Sequence, residues 1–237
     1  MRRVAARAVA RLDWEAVGRS LDSRGFATTG PLLGAADCRA TAALFDDDAR
    51  FRATVEMVRH RYGEGRYRYF AHPLPPLVGA LREAFYPPLA AVANRWAAAL
   101  GRAEDFPERL EDFLARCARE GQRRPTPLLL RYEAGGYNCL HQDRYGSVAF
   151  PLQVAVLLSR PGADFAGGEF LLVEQRPRQQ SRGSAISLAQ GEAIVFATRE
   201  RPVDGTRGAF RAGMRHGLSP LRAGRRTALG IIFHDAA

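Results

Sequence analysis

Short apolar runs dominate the chain from Pro125 to its end and constrain its fold more than any other feature. Each run is rich in Val, Ile, Leu or Phe, and turns containing Gly, Pro or Ser separate it from the next. The runs are PLLLRYEA, PLQVAVLLS, GGEFLLVEQ, AISL, EAIVFA and TALGIIFHD. Several short strands at close spacing are typical of an all-β sandwich or barrel, and continuously apolar runs indicate strands buried on both faces. This half is therefore predicted to form a double-sheet jelly roll.

The first half of the chain has mainly helical spacing. After Asp13, a plausible N-cap, the residues Trp14, Val17 and Leu21 fall on one face of a helix. Further helices are expected over AADCRATAALFDDD, over Pro75 to Leu100 with Pro87-Pro88 as a candidate break, and over Phe106 to Glu120. The segments FATTGPLL and RYRYF are expected to be strands.

These patterns predict an α+β protein with one domain over residues 13–237. A length of 237 residues, 46% of them hydrophobic, is enough to bury one sizeable core. In this interpretation, a helix-rich support (about residues 13–124) packs on a double-stranded β-helix, or jelly-roll, core (about residues 125–237). Residues 1–12 are arginine-rich and contain no acidic residue, and we expect them to be disordered.

The sequence LHQDR places His141 and Asp143 two residues apart. On an extended strand, both side chains would face the same way and could meet one metal ion, although such a pair also occurs by chance in polar turns. A third ligand could come from His60, His72, His216 or His234. We favour His216, because it precedes a turn and a buried strand that would lie near the pair in a jelly roll. Two imidazoles and one carboxylate leave three octahedral positions open, as in non-haem Fe(II) oxygenases.

Arg226 follows GR at the start of the apolar run TALGIIF. A buried strand that begins with arginine needs an anion to balance the charge. A guanidinium pairs well with a carboxylate, so a dicarboxylic keto acid such as 2-oxoglutarate could bind iron at one end and this arginine at the other. Arg225 is the competitor, because strand parity lets only one of the two side chains point inward.

The ordered set of these motifs resembles the Fe(II)/2-oxoglutarate-dependent dioxygenases. The motifs are RYEAGGYNCLHQD, GGEFLLVE, QGEAIVF and RHGLSPLRAGRRTALGIIF. The opening DWEAVGRSLDSRGFATTGPLL, with YRYF and LGIIFHDA, is similar to a bacterial family of that superfamily described as oxygenases that act on damaged nucleic acid. The resemblance implies Fe(II), 2-oxoglutarate and O₂ as cofactor and cosubstrates.

The resemblance also assigns roles to single residues. It implies His141, Asp143 and His216 as iron ligands, Arg226 as the partner of the 2-oxoglutarate tail, and Tyr132 beside the cosubstrate; it implies no catalytic side chain beyond the metal ligands. Tyr132 could equally be an ordinary core aromatic residue. Superfamily members often have Ser or Thr two residues after the arginine, whereas this chain has Ala228.

An enzyme of this kind couples decarboxylation of 2-oxoglutarate to hydroxylation or oxidative demethylation of a substrate. The family description and a formal net charge of +10 favour nucleic acid, and the segment 199–226 contains eight arginines against Glu200 and Asp204. All 35 basic residues are arginines, however, which also fits a skewed genome composition. The aromatic residues of RYGEGRYRYF could stack on bases or form an ordinary strand.

Two other functions remain open from the sequence. The G-x-R ending is closer to prolyl-hydroxylase-like enzymes, which act on proteins or amino acids. A metal-binding jelly roll without catalytic activity is the second alternative, although it would have no need of a carboxylate-binding arginine.

The cellular setting is predicted from what the chain lacks. It has no run of about 18 apolar residues, so we expect no membrane span. Its three cysteines, Cys38, Cys117 and Cys139, are far apart and form no C-x-x-C pair, which favours a reduced, cytoplasmic setting.

Overall fold

A computed structural model describes residues 2–143, 146–206 and 208–237, with side chains from Ala5 onward. The helices are α1 (Arg2–Ala10), α2 (Trp14–Arg24), α3 (Ala35–Ala43), α4 (Pro76–Ala99) and α5 (Leu110–Arg119). The strands of the first half are β1 (Phe26–Pro31), β2 (Phe51–Glu56), β3 (Gly63–Glu64) and β4 (Arg66–Phe70). Those of the second half are β5 (Leu128–Tyr132), β6 (Tyr137–His141), β7 (Leu152–Leu157), β8 (Phe165–Gly167), β9 (Phe170–Gln175), β10 (Arg182–Ile186), β11 (Glu192–Ala197), β12 (Glu200–Val203), β13 (Phe210–Leu218), β14 (Leu221–Gly224) and β15 (Arg226–Ile231).

Two antiparallel sheets form the centre of the molecule. The large sheet has seven strands in the order β1-β11-β7-β15-β5-β4-β2. The small sheet has the order β10-β9-β13-β6-β3, with β12 also paired to β13. Many strand neighbours in both sheets, such as β1 and β11 or β6 and β13, are far apart in the sequence, as expected for a jelly roll. The predicted α+β fold with a jelly-roll core is confirmed.

Strands from the first half complete the large sheet. β1 pairs with β11 at one edge, and β4 pairs with β5 near the other, where it also carries β2. The part of the chain expected to be a helix-rich support therefore also builds the sheet itself. β2 was not predicted, although its residues FRATVE alternate between apolar and polar side chains as a strand does.

The N-terminal segment differs from the disorder expected for residues 1–12. Residues 2–10 form α1, which packs against α4. Ala5 and Val9 are almost completely buried, and the indole of Trp14 donates a hydrogen bond to the Val9 carbonyl oxygen. Small apolar residues four positions apart lie on one helical face, and burial of this face orders a segment whose charge pattern alone favours disorder.

Helix α4 runs uninterrupted through Pro87 and Pro88, contrary to the candidate break. Its buried face includes Leu81, Phe85 and Leu89, which anchor it in the core. The buried Arg82 donates hydrogen bonds to the carbonyl oxygens of Ile232 and Phe233 and forms an ion pair with Asp235. This pairing holds the end of the chain after β15 against the helix. In the described part of the chain, no helix is long and apolar enough to cross a membrane.

His234 gives the fold a pH dependence. Its side chain is buried, its Nδ1 accepts a hydrogen bond from the Phe150 N–H at 3.1 Å, and burial lowers its pKa to about 4. The His234 imidazole takes up a proton at a higher pH in the unfolded chain than in the folded chain. The stabilisation of the fold by neutral, buried His234 is therefore complete above the unfolded pKa and is lost as the pH falls toward the folded pKa. Urea denaturation at about pH 7 and about pH 5 measures this effect. Between these two pH values, we expect the free energy of unfolding to fall in the parent by roughly 2 kcal/mol more than it falls in His234→Gln. His60→Gln, at an exposed site, is the control and should behave as the parent.

Candidate active site

Three of the predicted side chains converge at the junction of β6 and β13. His141 and His216 are direct partners across these two strands, and their ring centroids lie 4.2 Å apart. The Nε2 atom of His141 lies 3.5 Å from Asp143 Oδ1, and that of His216 lies 3.4 Å from Asp143 Oδ2. One potential ligand atom from each residue lies within 4.8 Å of the other two. This spacing allows all three to bind one metal ion.

The contacts of each histidine turn its Nε2 toward Asp143. His141 Nδ1 lies 2.8 Å from the carbonyl oxygen of Cys139, which can only accept a hydrogen bond, so Nδ1 carries a proton and Nε2 is the nitrogen that faces Asp143. The His216 ring packs against Phe170 and Phe196, with centroid distances of 6.1 Å and 4.7 Å. These contacts orient both imidazoles before any ligand binds.

The charges at this junction favour ionised Asp143. Burial alone would raise its pKa, but the charge of His216 and the hydrogen bond from His141 hold the pKa well below its usual value. Burial also lowers the pKa of His216, against the opposing charge of Asp143. For His141, burial would lower the pKa, but the hydrogen bond and charge of Asp143 outweigh this and raise it. Asp143 is therefore anionic at neutral pH, which is the form that binds a cation.

The other three histidines lie outside this cluster. His60 is exposed and stacks on the ring of Tyr62 with a centroid distance of 5.3 Å, and His72 is exposed as well. His234 is buried beside Phe150 and does not belong to the cluster. Choosing His216 as the third member of the cluster therefore agrees with the structure.

Strand parity separates Arg225 from Arg226. Arg225 is exposed and pairs with Glu133, with 2.7 Å between Nε and Oε1. Arg226 is 5% exposed, and its Nε atom has no hydrogen-bond partner among the described residues. Burial lowers the pKa of Arg226 to about 10, so the guanidinium stays charged at neutral pH. A buried cation with an unused Nε donor fits an anionic ligand.

The turn before β15 positions Arg226. Gly224 has a φ of 76°, and a Cβ atom there would lie 2.1 Å from the Asp164 carbonyl oxygen, so only glycine fits. Tyr132 is the cross-strand partner of Arg226; its hydroxyl is hydrogen-bonded to Asn138, and burial raises its pKa to about 12. Two residues along β15, the buried Ala228 provides no hydroxyl. Tyr132 is thus the polar side chain beside Arg226 on the neighbouring strand.

A cavity of about 500 Å³ between the two sheets joins these groups. The side chains of the His141–Asp143–His216 cluster, Arg226 and Tyr132 all line it. On β15, Ala228 and Gly230 also line it, and their small size leaves space beyond the arginine. Its remaining lining is largely apolar and aromatic and includes Tyr67, Tyr69, Leu128 and Ile232. The cavity can therefore hold a small dicarboxylate together with part of a larger molecule.

Comparison with known proteins agrees with this architecture. Residues 65–236 match the model of a family described as "oxygenase, catalysing oxidative methylation of damaged DNA". The chain belongs to this oxygenase family. The family identified from the sequence motifs is thereby confirmed. Uncharacterized proteins of two Mycobacterium tuberculosis strains are each 47% identical to this oxygenase over 210 residues, which cover 83% of its chain and 90% of theirs.

Solved structures share the fold of the oxygenase. A 2OG-Fe(II) oxygenase family oxidoreductase from Burkholderia pseudomallei is 17% identical, with a TM-score of 0.53 over 96% of this chain and 94% of that one. A Pseudomonas putida prolyl-4-hydroxylase is 16% identical, with a TM-score of 0.51 over 94% of this chain and 99% of that one. At this identity, the likeness shows a common fold.

Gln153 is a residue of the oxygenase site that sequence reasoning missed. It lies on β7, is 6% exposed, and its side-chain amide donates a hydrogen bond of 2.7 Å to Asp143 Oδ2. The available signal was a polar residue inside the apolar run PLQVAVLLS. A buried amide in such a run needs a hydrogen-bond partner. Gln153 holds one carboxylate oxygen of Asp143 and thereby orients the other.

Proposed function

We propose that the oxygenase binds Fe(II) through His141, Asp143 and His216 and binds 2-oxoglutarate with Arg226 and Tyr132. With these groups and O₂ bound, the centre supplies the oxidation of a substrate C–H bond, which leads to hydroxylation or oxidative demethylation, coupled to decarboxylation of 2-oxoglutarate. The observation that carries the proposal is the shared cavity, because it places a three-donor cluster and a buried arginine with an unused Nε donor in one space between the sheets.

The donor set fits a non-haem ferrous ion. Two imidazole nitrogens and one carboxylate oxygen form the typical ligand group of such centres and leave three positions for other ligands. Structural zinc is usually enclosed by four protein ligands, often cysteines, and the cluster contains three residues and no cysteine. Asp143 contributes one negative charge, so the centre keeps a net positive charge that attracts an anionic cosubstrate.

The surroundings of Arg226 fit the distal carboxylate of 2-oxoglutarate. Its guanidinium is buried and charged, its Nε donor has no partner among the described residues, and a carboxylate could pair with the guanidinium through two parallel hydrogen bonds. Tyr132 packs beside it on β5 and narrows the space at this end of the cavity. The arginine thereby orients the cosubstrate, while the apolar side chains of the cavity exclude bulk water.

Nucleic acid is the substrate class that we infer. The family description names damaged DNA, and the net charge of +10 favours a polyanionic partner. The aromatic end of the cavity, with Tyr67 and Tyr69 in edge-to-face contact at 5.5 Å, offers flat apolar surfaces to a base.

The three cysteines are free thiols in the structure, and we infer a reduced, cytoplasmic setting.

An anaerobic titration tests the proposed function. Adding Fe(II) and 2-oxoglutarate together to the protein should produce a weak visible absorption band that neither compound gives alone. After O₂ is admitted, succinate release should be stimulated by the true substrate class, screened among methylated oligonucleotides, peptides and free amino acids. Absence of both the band and any succinate would overturn the proposal.

Gln153 gives a specific prediction about iron affinity. We expect Gln153→Leu to weaken Fe(II) binding by roughly 10- to 100-fold, because the loss of a hydrogen bond to a metal ligand typically has this effect. The matched control is Gln190→Leu, since the Gln190 amide also donates one hydrogen bond of 2.8 Å, but to the Leu158 carbonyl oxygen. Fe(II) dissociation constants, measured with a competing chelator, distinguish the two variants. Excess Fe(II) should restore much of the turnover of Gln153→Leu, and equal affinities in both variants would contradict this role.

A further inference from the structure

The cavity opens beside an unusual hydrophobic patch, here called the rim surface, made of residues 58–62 and 137–140. Four large hydrophobic side chains are exposed in the described part of the chain, and all four lie on this surface. They are Val58 (67% exposed), Tyr62 (49%), Leu140 (43%) and Tyr137 (38%). Scattered apolar side chains are common on protein surfaces, but a cluster beside a cavity indicates a binding site.

The two segments of the rim surface lie side by side at the cavity mouth. The Cys139 N–H donates a hydrogen bond of 2.8 Å to the Tyr62 carbonyl oxygen, and Gly63 pairs with Asn138 where β3 joins β6. Tyr62 and Leu140 also line the cavity, together with Arg61. A molecule bound on the rim surface would therefore be continuous with the space in front of His141, the last residue of β6.

Positive charge accompanies the exposed aromatic residues. Arg59 and Arg61 are exposed and form no ion pair with the described residues. Arg199 lies near the mouth, because its carbonyl oxygen accepts a hydrogen bond from the side chain of the cavity-lining Gln142. Glu64, on β3, is the acidic residue of this region. Arginines beside a stacked His60–Tyr62 pair combine cationic donors with flat aromatic faces.

We propose that the rim surface binds a single-stranded segment of nucleic acid, with bases stacked on Tyr62 and phosphates paired with Arg59 and Arg61. Exposed aromatic rings interleaved with arginines are the features that bind unpaired strands. An acidic peptide would need only the positive charges of the arginines and not the aromatic rings. We expect the strand to be unpaired, because a base inside a duplex would first have to be unstacked and flipped out, at an energetic cost, before it could enter a cavity between the two sheets. The exposed Tyr62 and the half-buried Tyr67 both line the cavity, so an unstacked base would meet aromatic rings on the surface and inside. This inference rests on the proposed function for its substrate class.

Fluorescence anisotropy of metal-free protein with a labelled single strand of about 12 nucleotides tests the inference. We expect Tyr62→Ala to weaken binding by roughly 10-fold and Tyr62→Phe to retain it, since stacking needs the ring and not the hydroxyl. The neutral substitute for Arg61 is asparagine, because this residue has a φ of 59° and asparagine tolerates that backbone. Arg61→Asn should weaken binding and reduce the slope of log affinity against log salt by about 0.7.

Arg178→Asn is a closely matched control. Arg178 is an exposed arginine with a φ of 60°, and it lies between β9 and β10, at the opposite edge of the small sheet from β3. Arg178→Asn loses one positive charge at a position with the same backbone conformation as residue 61. It should bind the single strand as tightly as the parent does. If Arg178→Asn and Arg61→Asn weaken binding equally, only net charge matters and the inference fails. It also fails if Tyr62→Ala binds normally, or if duplex or poly-glutamate competes as well as the single strand. Failure of the proposed function would instead appear in the iron and 2-oxoglutarate titration, which contains no nucleic acid.

Discussion

Asp143→Ala is expected to lower the affinity of the protein for Fe(II) by more than about 100-fold, beyond the effect of removing a hydrogen bond to a metal ligand. Asp143 contributes the negative charge of the donor cluster, and each histidine Nε2 lies within 3.5 Å of one of its oxygens. Without it, two neutral imidazoles would face the ion, and the positive charge of the metal would be uncompensated. Turnover of 2-oxoglutarate should fall in parallel with iron occupancy.

Three measurements establish whether this loss is specific. Fe(II) titration reports affinity, succinate release reports turnover, and urea denaturation of the metal-free protein reports folding. We expect a small decrease in stability, about 1–3 kcal/mol, because the Gln153 amide loses its acceptor. Asp164→Ala is the control, since Asp164 is also an ion-paired carboxylate, bound to Arg160 on the surface. Normal iron binding by Asp143→Ala would refute the role of the cluster, whereas normal binding by Asp164→Ala is expected.

The closeness of His141 and Asp143 was predictable because it depends on short-range geometry. The prediction took LHQDR as extended, whereas β6 ends at His141 and Asp143 follows the strand. His216 could be chosen because β13 precedes a turn and a buried strand. The structure adds the register, with His216 directly opposite His141. The sequence alone could not show this register, since it depends on how two segments 75 residues apart align across the sheet.

Other features depend on contacts that no local pattern reports. Gln153 reaches Asp143 from the facing sheet, and its role follows only from packing of β7 opposite β6. Helix α1 is ordered by burial of Ala5 and Val9 against α4, although its composition favours disorder. In each case, tertiary burial determines the outcome, and local propensity is a weak guide to it.

Arg225 and Arg226 show what the alternation of side chains along a strand can predict. The sequence indicated that one of the two would point inward and favoured Arg226 by its resemblance to known oxygenases. The structure buries Arg226 beside Tyr132 and leaves Arg225 exposed in its ion pair with Glu133. The strand begins after a turn at Gly224, where a Cβ atom would lie 2.1 Å from the Asp164 carbonyl oxygen. The two adjacent arginines therefore form a natural pair for mutational comparison.

Arg226→Met should raise the KM for 2-oxoglutarate by roughly 100-fold or more, because loss of a buried, charge-assisted partner typically costs a ligand 2–5 kcal/mol or more. Fe(II) binding without 2-oxoglutarate should change little, since Arg226 does not belong to the donor cluster. Methionine has a similar length and leaves no unsatisfied donor in the cavity. The metal-free variant should therefore unfold at the same or a higher urea concentration than the parent, because a buried, unpaired guanidinium is itself destabilising.

Arg225→Met controls for the loss of one positive charge at the start of the same strand. Its side chain faces solvent, so the KM for 2-oxoglutarate should stay within about two-fold of the parent, as for most exposed ion pairs. The opposite pattern, with KM raised by Arg225→Met and unchanged by Arg226→Met, would place the cosubstrate outside the cavity. A stable Arg226→Met protein with an unchanged KM would show that the buried guanidinium does not bind the distal carboxylate. A raised KM for 2-oxoglutarate in a stable Arg226→Met protein would show that burial of this guanidinium does not stabilise the fold and that the side chain serves to bind the anion.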